Sequence, residues 1–112
     1  MTIEPLTRKH YIDFNNEPPQ VSVKGIALVD GDDVFAIAGK VHICGQWFVI
    51  FGSKPGFSKR DIIRGWSRFE PMLNDGKTYY AIIDRELETS MGMLEHFGFS
   101  YLYDDLYIYE GE

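Results

Sequence analysis

MLEHFGFSYL, residues 93 to 102, is the stretch whose reading decides the fold. Leu94 and Phe97 stand three positions apart, so they are neighbours on one side of a helix. Gly98 supplies the left-handed conformation that ends such a helix, and the aromatic segment after it reads at once as a strand. A helix that stops and becomes a strand within two residues belongs to a layered domain, in which helices lie across a sheet.

Downstream of the junction, FSYLY and LYIYE pair across Asp104 and Asp105 as a hairpin. Tyr101, Tyr103, Tyr107 and Tyr109 alternate with Leu102, Leu106 and Ile108. One face must be core. The tyrosine face either offers contact area to a protein partner or a second copy of the chain, or is itself covered by helix and strand.

Upstream, Thr89 or Glu88 opens the helix carrying Met91, Leu94 and Phe97. Before it, TYYAIID is a near-continuous apolar run of the kind expected at the centre of a sheet. FSKRDIIRGWSRFE predicts a helix, with Ser58 as N-cap, Asp61 at the capping-box position and Phe57 stapled to Ile62. Ile62, Trp66, Phe69 and Leu73 form its apolar stripe, Pro71 ends or kinks it near Glu70, and Asn74 to Gly76 turn. From Val21 to Gly52 the pattern is a three-stranded antiparallel meander, VSVKGIALV, VFAIAGKVHIC and QWFVIFG, with turns at DGDD and at Gly45. In its middle strand Phe35, Ile37, Val41 and Ile43 make the strongly apolar face, which helices must cover, and Ala36, Ala38, Lys40, His42 and Cys44 the mixed one. At the start, TIEPLT is extended, Thr7 caps a brief helix over RKHYIDFN, and Pro18 and Pro19 stop it.

The order β, α, β-β-β, α, β, α, β-β predicts one α+β (α/β layered) domain over 1–112. Its twisted mixed sheet holds about six to seven strands and is flanked by two to three helices. At 112 residues a single core is feasible, burying roughly two-thirds of the unfolded chain's surface. A formal net charge of -6 disfavours nucleic acid and anionic membrane surfaces as partners. No run approaches the ~18 apolar residues of a membrane span, and no signal-type run follows the first charges. The lone cysteine, Cys44, excludes an internal disulfide and makes cytoplasm the default expectation.

The succession IID, TSMGMLEHFGF and a paired tyrosine hairpin resembles the C-terminal half of the GNAT acyltransferase superfamily. IEPLT with its short helix resembles that family's first strand and helix, and ALVDGDDVFAIAGKV is similar to its second and third strands. Within the superfamily, ETSMGMLEHFGF most resembles the small GNAT-like proteins of short-tailed phages, the internal virion protein A group among them. The resemblance implies a GNAT-like sheet lacking the usual second helix. It also implies a phage or prophage setting, with the host cytoplasm or the virion as its place.

The same resemblance exposes departures. Enzymatic members follow the fourth strand with an Arg/Gln-x-x-Gly-x-Gly/Ala loop, whose bare amides bind the pyrophosphate of acetyl-CoA. Here the stretch is FGSKPGFSKRD: Gly52 and Gly56 remain, Phe57 and Ser58 replace the close-approach glycine, and Pro55 removes a donor. The family's proton-donating Tyr, five residues before the Phe of the Gly-Phe pair, corresponds to Leu94, and its Asn seven residues earlier to Leu87. QWFVIF offers no carboxylate as base. The expected function is therefore non-catalytic, a virion component or host-factor-binding modulator with no cofactor. The alternative is a divergent acetyl-CoA-dependent N-acetyltransferase.

In that alternative Lys54, Gly56, Ser58, Lys59 and Arg60 hold the cofactor, Asp84 or Glu86 takes the amine proton, and water or a tyrosine such as Tyr101 protonates the leaving thiolate. Lys54, Lys59, Arg60, Arg64 and Arg68 also make a local basic patch, read either as an anion site or as a solvated helix face. The favoured reading of Asp84, Glu86 and Glu88 is nevertheless as solvated turn and helix-cap residues. Lys40, His42 and Cys44 are too few for a structural metal, so no metal is expected and a covered, packed face is the favoured reading.

Overall fold

The computed structural model describes residues 2–54, 58–82, 94–104 and 106–110. The chain opens with β1 (Thr2–Pro5) and α1 (Arg8–Asn15). Thr7 and His10 start α1 with a reciprocal box: the His10 N–H donates to Thr7 Oγ1 at 3.2 Å, and the Thr7 N–H donates to His10 Nδ1 at 3.1 Å. The meander follows as β2 (Lys24–Asp30), β3 (Asp33–Ile43) and β4 (Gln46–Ser53). Next come α2 (Lys59–Phe69), a 3-10 turn at Glu70–Met72, β5 (Thr78–Ile82), β6 (Ser100–Tyr103) and β7 (Leu106–Glu110).

The seven described strands join one sheet in the order β1-β2-β3-β4-β5-β7-β6. β4 and β5 run parallel, and the other neighbours run antiparallel. The apolar TYYAI strand is interior, as its composition predicts.

Two layers of core cover the two faces. On one, Phe69 and Leu73 are fully buried against Ile26, Leu28, Ala36 and Ala38. Burying each of these two side chains stabilises the fold by about 1.5–3 kcal/mol. Gly65 lets α2 come this close, since a Cβ there would meet the Leu28 side chain at 3.0 Å. On the other face, Tyr11 and Phe14 of α1 pack on Ala27, Val29, Val34 and Ile37.

The meander corrects two expectations. The first strand begins at Lys24 and not at Val21, because the register with β3 starts at Lys24↔Lys40. The larger core lies on the face of Ala36 and Ala38, which alternation alone marks as the mixed side. Small side chains there admit α2. A register shift also intervenes: Leu28 faces Ala36 while Val29 faces Val34, leaving Phe35 as an extra residue. Val34 and Ala36, two apart, thereby serve opposite layers.

The junction at Gly98 folds as its sequence predicts. The Phe99 N–H donates to the Leu94 carbonyl at 2.9 Å and the Gly98 N–H to the Glu95 carbonyl at 3.1 Å. With Gly98 at φ +94°, this is the paired closure of a helix that ends on a left-handed glycine. Leu94, Phe97 and Phe99 are all buried around it.

Candidate functional site

β4 and β5 are in register at two positions, Trp47↔Tyr79 and Phe48↔Tyr80. Beyond these, β4 stays on β3, with Val49↔Lys40 through Ser53↔Ala36, while β5 stays on β7, with Ala81↔Tyr107. Each strand is also paired to its outer neighbour, β4 to β3 and β5 to β7. In a sheet with parallel neighbours, the carboxyl ends of the strands are where a ligand can enter. On the helix side of the sheet, aromatic rings pack together. Trp66 stacks on Phe97 at 4.5 Å between centroids and 8° between planes. Phe51 meets the edges of Phe69 and Phe99 at 6.1 and 6.2 Å.

α2 starts at the carboxyl end of β4. Ser58 caps it: Oγ accepts from the Asp61 N–H at 3.2 Å and donates to Asp61 Oδ2 at 2.7 Å. Asp61 in the first turn and Arg68 in the last suit the helix dipole. Asp61 also draws on the basic patch, with Arg64 Nη1 at 3.6 Å from its Oδ1. Lys54 and Arg60 are exposed, and Lys54 Nζ lies 6.0 Å from the Phe35 ring centre.

The expected site residues divide. Lys54, Ser58 and Arg60 sit at this end of the sheet. Gly56, Asp84 and Glu86, together with Pro55, Phe57, Leu87, Glu88, Thr89 and Met91, lie outside the described residues, as does the side chain of Lys59. Gly52 belongs to β4 and not to a loop, and α1 accounts for it: a Cβ there would come within 2.6 Å of the Phe14 ring. Tyr101 stands on β6, two strands out from β5, its ring 5.5 Å from that of Tyr107. Leu94 is 3% exposed and packed in the core.

The hairpin's tyrosine face is split. Tyr107 is buried, and that burial pushes its phenol up, with the charges of Glu95 and Tyr101 adding to the shift. Tyr109 packs edge-on to Trp66 and donates its hydroxyl to Asn74 Oδ1 at 3.0 Å. Tyr101 and Tyr103 are the exposed pair.

Lys40 is the residue whose surroundings sequence reasoning missed. Its side chain is 13% exposed, and its ammonium donates to the Met72 carbonyl at 2.8 Å, to Asp75 Oδ2 at 3.3 Å and to Tyr79 Oη at 3.3 Å. Tyr79 in turn donates to Asp75 Oδ2 at 2.6 Å. Burial alone would raise the Asp75 carboxyl, but hydrogen bonds from Tyr79, the Lys77 N–H and Lys40 outweigh it and hold the carboxyl at about 2. Burial first, and then the donation to Asp75, push the Tyr79 phenol well up. Lys40 and Lys77 also lie 5.7 and 4.7 Å from the Trp47 ring centre. The expected covered face holds for Lys40 and fails for His42 and Cys44, which are exposed at the β3–β4 turn. The missing signal is a long-range one: Lys40 and Asp75 are 35 residues apart.

A groove of about 430 Å³ lies between the start of α1 and residues 19–23, lined by Leu6, Arg8, Tyr11 and Val21 among others. Among the described residues no three His, Cys, Asp or Glu side chains are grouped to hold a metal ion. No described helix is long and apolar enough to cross a membrane.

No family model matches the chain, and no curated protein matches its sequence. A solved structure does resemble it, that of the ribosomal-protein-S18-alanine N-acetyltransferase from Escherichia coli. The TM-score is 0.57 at 12% identity, over 96% of this chain and 90% of that one. The fold is therefore the GNAT-like α+β fold: a seven-stranded mixed sheet with helices on both faces.

Proposed function

We propose that this chain is a non-catalytic protein built on an acyltransferase skeleton, a phage-type virion component or a modulator that binds a host factor. Leu94 carries the reading. It holds the position that the family resemblance gives to the proton-donating tyrosine, and it is sealed in the core at 3% exposure. A leucine has no proton to give, and no hydroxyl could be regained there without repacking Phe97, Phe99 and Tyr107. The phage setting rests on the resemblance of ETSMGMLEHFGF to small phage proteins.

A divergent N-acetyltransferase is the second reading, favoured by the parallel pairing of β4 with β5 and by a capped helix start after β4. Bound acetyl-CoA would supply the acyl group and the thiolate leaving group. Lys54, Gly56, Ser58, Lys59 and Arg60 would hold it, and Asp84 or Glu86 would take the amine's proton. Tyr101, the remaining hydroxyl candidate, is two strands from β5, roughly 10 Å at ordinary strand spacing. That separation ranks the reading second.

Isothermal titration with acetyl-CoA separates the two. The first reading expects no saturable heat up to millimolar cofactor. Micromolar binding that disappears in Arg60→Glu would move the protein to the second.

A further inference from the structure

The charge of the chain is unevenly spread. From Glu86 onward the sequence holds seven of its 17 Asp and Glu and none of its 11 Lys and Arg. The preceding 85 residues are close to neutral, so the whole net charge of -6 resides in the last quarter. The fold gathers the described part of that quarter at one side of the sheet, where β6 is the end strand.

β6 itself is uncharged, and all four of its residues are exposed. Tyr101 is 56%, Leu102 42% and Tyr103 59% exposed, three of the six large hydrophobic residues exposed on the described surface. Carboxylates bracket this run: Asp104 follows it at the hairpin tip, and Glu110 lies on β7 beyond its other end. β6 pairs with β7 on one side, and its outer edge meets no described strand. The opposite edge of the sheet is guarded by Glu4 and Pro5 within β1. β6 carries neither a charge nor a proline.

We propose that β6 is a docking edge for an extended, lysine- or arginine-bearing protein segment that adds to the sheet as a further strand. Backbone amides and carbonyls pair along β6. Uncharged side chains of the segment cover Tyr101, Leu102 and Tyr103, and its basic residues meet Asp104 at one end and Glu110 at the other. Charge complementarity selects this occupant over a second copy, which would bring two acid-bracketed edges together. The register shift between Tyr101 and Tyr103 keeps the edge short, which suits one strand and not a second sheet. The inference goes beyond the non-catalytic reading and stands whether or not acetyl-CoA binds.

The test titrates the ¹⁵N-labelled chain with the capped peptide Lys-Lys-Thr-Val-Thr-Val-Lys-Lys and, separately, with a version carrying proline for the central threonine. The expected result is saturable shifts centred on the amides of Ser100–Tyr103, an affinity about tenfold weaker at 200 mM than at 50 mM salt, and about tenfold loss with the proline peptide. Leu102→Lys combined with Tyr103→Lys should weaken binding at least about tenfold while the melting temperature holds, because both side chains are exposed. Shifts centred elsewhere, equal binding of the proline peptide, or no binding at millimolar peptide would overturn the proposal. So would β6 amides that move with protein concentration alone, since the occupant would then be a second copy.

Discussion

Lys40 holds the turn after α2 to the sheet, because one ammonium meets the Met72 carbonyl and the Asp75 carboxylate of that turn together with the Tyr79 phenol on β5. Its partners set the acid behaviour of the fold. The Asp75 carboxyl lies at about 2 against an ordinary 3.8, so the folded state favours the charged form. The stability this gives is present above about pH 4 and is lost as pH falls towards 2. Asp75→Asn should therefore cost about 1 kcal/mol at pH 6, after allowance for solvent screening, and nearly nothing at pH 2. Urea denaturation at the two values checks it, and a constant difference would refute the linkage. Lys40→Met removes the charge and leaves Asp75 and the Met72 carbonyl without their shared donor; a loss of about 2–3 kcal/mol is expected by the same measurement. A gain would mean that desolvating the lysine outweighs its bonds.

At the scale of elements, the junction that ends at Gly98 was legible because its physics is local: helical spacing, a residue free to take positive φ, then alternation. Gly98→Ala keeps the space, with the nearest Tyr109 ring atom 3.5 Å from the new Cβ, yet must hold φ +94°. The expected cost of about 1–2 kcal/mol lowers the melting temperature by about 4–8 °C per kcal/mol. An unchanged melting temperature would show that the helix end is not fixed by that residue. The Ser58 cap, the Pro71 stop and the Asn74–Gly76 turn were legible for the same local reason. Ser58→Ala should cost about 1 kcal/mol, read as an earlier thermal transition. What escaped the sequence is whatever depends on neighbours remote along the chain. The extra residue Phe35 reverses the faces within β3, and the β5-β7-β6 order buries Tyr107 while leaving Tyr101 outside. The candidate cofactor end was half legible: Ser58 and Arg60 were placed by capping signals, whereas Gly52 turned out to make room for Phe14.

Across the whole molecule, a GNAT-like sheet presents two ends of opposite character: a basic start to α2 at the carboxyl ends of β4 and β5, and an acidic, tyrosine-bearing edge at β6. Leu94, at the position that the family resemblance gives to a proton-donating tyrosine, is buried in the core. On this account the skeleton serves as a rigid support, and its recognition surface has moved to the sheet's edge. The most direct measurement follows the amide resonances of Val49–Ser53 and Thr78–Ala81 as coenzyme A is added to the ¹⁵N-labelled chain. The account predicts that these resonances stay in place at millimolar coenzyme A. Saturable shifts on both strands, with the β6 amides unmoved, would contradict it.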